Sequence, residues 1–112
     1  MNVEFINPGD LDRQITIIRV HRSLGDKGQE VVDRQPIAVR FASVNIESSD
    51  EAVEDSNNRS IGWLDITMYR FPPMMTSDEI EFQGKRYNVT SINEVRLTPF
   101  VKVRAREVLR YE

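Results

Sequence analysis

The chain has 112 residues, no cysteine and a formal net charge of −3 at pH 7. This length corresponds to one domain that can bury a core without covalent cross-links. The lack of cysteine excludes disulfides and thiolate metal sites, and the acidic balance argues against a general nucleic-acid binder. No apolar run approaches the roughly 18 residues of a membrane span, and no signal peptide is predicted.

Residues 1–13 are polar and interrupted by Asn7-Pro8-Gly9, and we interpret them as an N-terminal arm. The arm leads into a single β domain over residues 14–112. Residues 14–22, QITIIRVHR, are rich in β-branched side chains and predict the first strand. The glycines at 25 and 28 then predict a turn, after which Glu30-Val31-Val32 returns as a hairpin.

The next strand is predicted over residues 37–47, after a break at Gln35-Pro36. Its apolar residues fall into two sets of opposite phase: Ile37, Val39 and Phe41, then Val44 and Ile46. A change of phase within one strand indicates an extra residue, so a β-bulge is predicted near Ala42-Ser43.

The longest polar stretch covers residues 48–60, SSDEAVEDSNNRS, where Arg59 is the only basic residue. It predicts a long acidic loop, in which Ser48 and Glu51 also permit a short helical turn. A loop of this length in a compact domain is usually functional or disordered. Its carboxylates are those of Asp50, Glu51, Glu54 and Asp55.

Residues 61–92 carry the clearest strand pattern. Leu64, Ile66 and Met68 alternate with polar residues, which indicates one buried face, and Phe71-Pro72-Pro73 ends that strand. Residues 78–82 alternate again, with Glu79 and Glu81 expected on the solvated side. Gln83-Gly84 predicts a tight turn into a return strand over residues 85–92. The predicted core unites five side chains: Ile66, Phe82, Tyr87, Val89 and Val103.

The last strand is predicted over residues 100–110, where apolar residues alternate with Lys102, Arg104 and Arg106. This gives a basic outer face, with Arg96 and Arg110 nearby. The face either protects a sheet edge from unwanted pairing or meets acidic surface on another subunit. With six to seven short strands in all, we predict an all-β fold, a small antiparallel barrel or sandwich with one long acidic loop.

No catalytic constellation is present. His21 is the only histidine, and one histidine without suitably spaced carboxylates does not make a metal site. No nucleophile elbow, phosphate-binding glycine loop or zinc-protease motif occurs. We therefore predict that the protein is not an enzyme and that it needs no cofactor.

Several short motifs together resemble one protein family. Two stretches carry the resemblance: a Gly-x-Leu-x-x-x-Ile-x-Ile pattern from Gly9 to Ile17, and a second set formed by Tyr69-Arg70, Ile80, Phe82, Gly84-Lys85, Tyr87, Val89 and Ser91-Ile92. In order and spacing, the chain resembles the head–tail joining proteins of tailed bacteriophages, also called head-closure, stopper or head–tail adaptor proteins.

The resemblance implies a structural protein of the virion, assembled in the host cytoplasm. It would form a homo-oligomeric ring, connect the portal-side connector to the tail, and close the channel around packaged DNA. The acidic loop would line that channel, or it is a plain solvated loop. Met74 and Met75 lie at a predicted apolar loop tip, a candidate partner contact like the basic strand face. Two alternatives stay open: a tail completion or terminator protein, and a single-stranded nucleic-acid-binding barrel.

Overall fold

The computed structural model describes residues 6–52, 58–71 and 73–108, with backbone alone for residues 48–52 and 58–61. These described residues form six strands: β1 (Arg13–Leu24), β2 (Glu30–Ala52), β3 (Asn58–Tyr69), β4 (Glu79–Phe82), β5 (Lys85–Glu94) and β6 (Phe100–Glu107). A single 3-10 turn, Pro8–Asp10, precedes β1, where the Asn7 side chain accepts a hydrogen bond from the Gly9 N–H. The predicted all-β fold with little helix is confirmed.

The six strands form one antiparallel sheet that closes on itself in the order β1-β2-β3-β6-β5-β4. The short strand β4 closes the sheet, since its residue Ile80 lies opposite Ile17 of β1 while β4 also pairs with β5. The β4–β5 connection is the predicted tight turn. Gln83 and Gly84 both have positive φ, 52° and 78°, which is the backbone of a type I′ turn.

The predicted core is confirmed. Ile66, Phe82, Tyr87, Val89 and Val103 are all buried in one cluster, which also contains Ile15, Ile17, Ala42, Leu64, Met68, Ile80, Val101 and Ala105. These residues recur at every second position of their strands, because alternate side chains of a strand point to the same face of the sheet. A closed sheet collects all the inward faces in its interior, so one contiguous core results.

The predicted break at Gln35-Pro36 is wrong, because β2 runs without interruption through both residues. The ladder between β1 and β2 shifts register between Ile17 and Ile18, where Ile18 lies opposite Pro36 and Ile17 lies opposite Ala38. One residue, Ile37, is therefore extra on β2. A bulge accommodates proline, since the ladder hydrogen bonds are already disrupted there.

The bulge predicted at Ala42-Ser43 is also wrong. Ala38, Ala42 and Val44 all pack in or against the core, so the alternation continues through this point. The side chains at the odd positions instead form an outer row, which is exposed: Ile37, Val39 and Phe41. What changes at residue 42 is the pairing partner, because β2 pairs with β1 up to Ala42 and with β3 from Ser43 onward.

The long loop predicted over residues 48–60 is mostly a β-hairpin. β2 continues to Ala52 and β3 begins at Asn58, and these two residues lie opposite each other in the ladder. The helical turn considered near Ser48 does not form, because Ser48 lies in the ladder opposite Gly62. Residues 53–57 lie outside the described residues.

The prediction that Glu79 is solvated is wrong, whereas Glu81 is exposed as predicted. The Glu79 carboxylate is buried and lies 3.2 Å from the Arg34 guanidinium and 3.3 Å from that of Arg86. The neighbouring Asp78 is also buried; it accepts two hydrogen bonds from Arg19 and one from the Met75 N–H. These hydrogen bonds raise the pKa of Arg19, since they favour its charged form. Buried carboxylates need such partners to offset the loss of water.

Candidate functional site

The two ends of the barrel differ in chemistry. One end carries the β2–β3 hairpin, the β4–β5 turn and the end of β6; we call it the ribbon end. The other end carries the β1–β2 turn, the β3–β4 segment and the β5–β6 turn; we call it the apolar end. Each end collects residues that sequence analysis had considered separately.

At the ribbon end, β2 and β3 extend beyond the other strands as a two-stranded ribbon. The ladder between β3 and β6 stops at Trp63 and Arg106, and from Gly62 to Asn58 strand β3 pairs with β2 alone. Five paired residues on each strand span about 17 Å at the usual rise of a strand. Two of the predicted channel residues, Asp50 and Glu51, belong to this ribbon. Glu54 and Asp55 lie outside the described residues.

The base of the ribbon is attached to β6 by a contact that sequence analysis missed. The Glu107 carboxylate accepts a hydrogen bond of 3.2 Å from the Gly62 N–H and lies 3.4 Å from the Lys85 ammonium. A Cβ atom at position 62 would stand 2.8 Å from the carboxylate Oε2 of Glu107, so the glycine leaves room for the carboxylate where it lies. An isolated two-stranded ribbon is only marginally stable in water. Glu107 therefore helps to hold the ribbon against the barrel.

The basic face of β6 does not protect a sheet edge, since β6 is paired on both sides, with β3 and with β5. Its central residue, Arg104, forms ion pairs within the chain, 3.0 Å from Asp65 and 3.5 Å from Glu47. The guanidinium groups of Arg104 and Arg106 lie 4.4 Å and 5.7 Å from the centre of the Trp63 ring. The charge of Arg104 is thus balanced by acidic residues on β3 and β2.

This arrangement is unfavourable for single-stranded nucleic acid, which needs exposed aromatic rings on a basic surface. Trp63 is contacted by two arginines, and Asp65 lies beside them. We therefore expect no measurable binding of the purified protein to short DNA at physiological salt. Fluorescence anisotropy with labelled single- and double-stranded oligonucleotides checks this. A micromolar affinity that falls steeply with salt would contradict it.

The apolar end exposes several large side chains. Phe71 is 69% exposed, Leu97 71% and Met75 55%, whereas Met74 is half-buried and packs against the core. Leu97 has a φ of 64°, a conformation that is uncommon for a side chain with a Cβ. Met75 and the exposed Arg96 were candidate contact residues from sequence. The structure brings them to the same end of the barrel.

A groove lies beside this end, between the outer row of β2 and the end of β3. It encloses about 460 Å³ and is lined by Pro8, Leu11, Ala38, Val39, Arg40, Phe41, Tyr69 and Phe71. Arg40 donates a hydrogen bond of 3.3 Å to the Tyr69 carbonyl oxygen, and burial lowers the pKa of its guanidinium. The Tyr69 ring stacks on buried Phe100 at a centroid distance of 4.8 Å. The groove is apolar, with one cation at its floor.

Within the described part of the chain, no group of three or more histidine, aspartate or glutamate side chains is placed to hold a metal ion. His21 is exposed on β1. No helix among the described residues has the length and hydropathy of a membrane span.

The fold is shared with proteins of phage-like particles. A chain from the virion of a native gene transfer agent particle superimposes with a TM-score of 0.70 at 16% identity, covering 88% of this chain and 96% of that one. The phage-like element PBSX protein xkdH of Bacillus subtilis gives a TM-score of 0.54 at 13% identity, covering 85% and 92%. At such identities these matches establish a common fold alone.

A search of curated protein sequences finds no match. The family comparison is decisive, because the model of the phage head completion proteins matches residues 6–108. That range contains all six strands and both ends of the barrel. It agrees with the resemblance inferred from the Gly9–Ile17 pattern and the motifs around the β4–β5 hairpin. The chain belongs to the phage head completion protein family, whose role in the particle is structural.

Proposed function

We propose that the protein forms a homo-oligomeric ring between the portal-side connector and the tail, and that this ring closes the channel around packaged DNA. Assembly takes place in the host cytoplasm, before the ring becomes part of the virion. The observation that carries the proposal is the acidic ribbon, which extends beyond the barrel of a head completion protein.

The ribbon has the length and charge for a channel element. The ribbon and its tip, residues 48–62, contain four carboxylates and one basic residue, Arg59. In a ring, every copy contributes the same ribbon, so the negative charge is repeated around the axis. Such a surface repels the phosphate backbone, so DNA passes without adhering, and the ribbons act as a steric closure. Asp50, Glu51, Glu54 and Asp55 are the proposed channel residues.

The difference between the two ends supports a joining role. A protein that links two unlike structures needs two unlike surfaces, one for each neighbour. Here the acidic ribbon marks one end, and Phe71, Met75 and Leu97 make the other end apolar. We assign the apolar end, including Met74 and Arg96, to contact with an adjoining particle protein. Lys102, Arg104 and Arg106 on the flank of β6 are assigned to subunit contacts, and Arg104 also forms ion pairs with Asp65 and Glu47 of its own chain.

Electron microscopy of particles made without the gene tests this function. We expect separate full or leaking heads and free tails, because each half assembles but nothing joins them. Supplying the wild-type protein in trans should restore joined particles. Normal tailed particles in the absence of the protein would contradict the proposal.

A further inference from the structure

Strand β2 has 23 residues, about twice as many as either neighbouring strand, so it pairs with each of them over only part of its length. Its first part, up to Ala42, pairs with β1, and its second part, from Ser43 to Ala52, pairs with β3. Because β1 and β3 flank β2 on opposite sides, each part has one edge without a ladder partner among the described residues. The two open edges face in opposite directions.

The open edge of the first part is bordered by apolar surface. Ile37, Val39 and Phe41 are 46%, 61% and 60% exposed, and the groove that ends at Tyr69 and Phe71 runs along this edge. Natural proteins usually protect an edge strand with charges or bulges, since an open apolar edge recruits another strand. The bulge at Ile37 lies at the start of this segment, and from Ala38 to Ala42 the ladder with β1 is regular. Between Pro36 and Ala42 the only charged residue is Arg40. This edge is therefore suited to a strand that carries negative charge.

The second part of β2 meets that requirement. Residues 43–52 contain three acidic residues and no basic residue. Glu47 is 58% exposed although it lies 3.5 Å from Arg104 of its own chain, so it is the carboxylate assigned to the next copy, while Asp50 and Glu51 remain channel residues. The open edge of the second part faces the opposite way from that of the first part. In a head-to-tail arrangement of copies, the second part of β2 in one copy therefore lies along the first part of β2 in the next. An interface between two different surfaces of one protein is heterologous, which is the kind that generates rings.

We propose that neighbouring copies associate by strand addition, with the second part of β2 of one copy along the first part of β2 of the next. The strand that pairs with the apolar edge thus belongs to a second copy of this chain. The inference rests on the proposed ring and names the surfaces that would build it. It assigns the principal subunit contact to β2, with the basic face of β6 as a secondary contact.

Chemical cross-linking tests this pairing, because the chain contains no cysteine. The double variant Val39→Cys/Asn45→Cys places one thiol on each edge segment, both at exposed positions of the outer face. Six residues along a strand separate them by about 20 Å, so a short bismaleimide cannot join them within one chain. In assembled particles treated with this reagent, we expect a ladder of covalent multimers of the chain. Particles that mix the two single variants should give dimers alone.

Val39→Cys/Glu81→Cys is the matched control, since Glu81 is exposed on β4, where both edges are already paired. It should give no multimers. If Val39→Cys/Asn45→Cys melts below wild type, Ile37→Cys/Asn45→Cys repeats the measurement. Joined particles without multimers, or cross-links to a different particle protein, would overturn the pairing and leave the joining function standing. The joining function is tested separately, by electron microscopy of particles made without the gene, so the two tests can fail independently.

Discussion

Phe82→Ala is expected to lower the free energy of unfolding by about 3–5 kcal/mol, the usual cost of removing a buried phenylalanine side chain. Phe82 is 4% exposed and belongs to the core cluster. It lies on β4, which has four residues and closes the sheet between β1 and β5. The loss of stability therefore has two causes, a cavity in the core and a weaker closing strand β4. Urea denaturation followed by circular dichroism measures the effect.

Phe71→Ala is the matched control, since the same side chain is removed from a position that is 69% exposed. Its stability should change by no more than about 0.5 kcal/mol, as is usual for surface substitutions. Equal losses in the two variants would mean that Phe82 does not contribute more to the core than an exposed phenylalanine. In that case the assignment of β4 as the closing strand would fail.

Removal of the acidic ribbon is expected to abolish infectious particles while the protein still folds. Ser49 and Ile61 lie opposite each other in the ladder, so residues 50–60 can be replaced by Asn-Gly, which forms a two-residue type I′ turn. The core residues of these strands, such as Ala42 and Leu64, lie on the barrel side of the cut. The melting temperature should stay close to that of wild type. Heads should fill with DNA but leak it or fail to accept tails.

A second variant separates the charge of the ribbon from its length. Asp50→Asn, Glu51→Gln, Glu54→Gln and Asp55→Asn together keep the length and remove the four carboxylates. If the negative charge keeps DNA from adhering, this variant should close the channel but slow DNA ejection, measured by dye uptake of released DNA.

Two outcomes for the shortened variant would contradict the channel role. If its infectivity equals that of wild type, the ribbon is only a solvated hairpin. Unfolding of the shortened variant would show that the ribbon belongs to the fold.

Much of the barrel could be predicted from sequence, because one-sided burial leaves a period of two in the residues themselves. Leu64, Ile66 and Met68 alternate with polar residues, and this pattern placed the core face of β3 correctly. Gln83-Gly84 predicted its turn, because few residue pairs adopt positive φ at both positions. Such signals are local, so they do not depend on which strands become neighbours.

For the acidic ribbon, the amino-acid composition led to a wrong prediction of secondary structure. Ser48 to Ala52 has few apolar residues, and low hydrophobicity predicted a loop. In the structure these residues pair with Asn58 to Gly62, because hydrogen bonds between backbones sustain a hairpin whose side chains need no core. The burial of Glu79 was missed for a related reason: its partners, Arg34 and Arg86, are distant in sequence and meet it only in the closed sheet.

The sequence by itself determined the strand periodicity, the β4–β5 turn and the inward residues of β3 to β6, since each depends on a residue and its near neighbours. Tertiary structure alone decided which side chains remained outside. Ile37, Val39 and Phe41 have the hydrophobicity of core residues, yet the bulge at Pro36 and the closure of the sheet turn Ala38 and Ala42 inward instead. The interior of a closed six-stranded sheet has limited volume, so only one face of β2 can enter it.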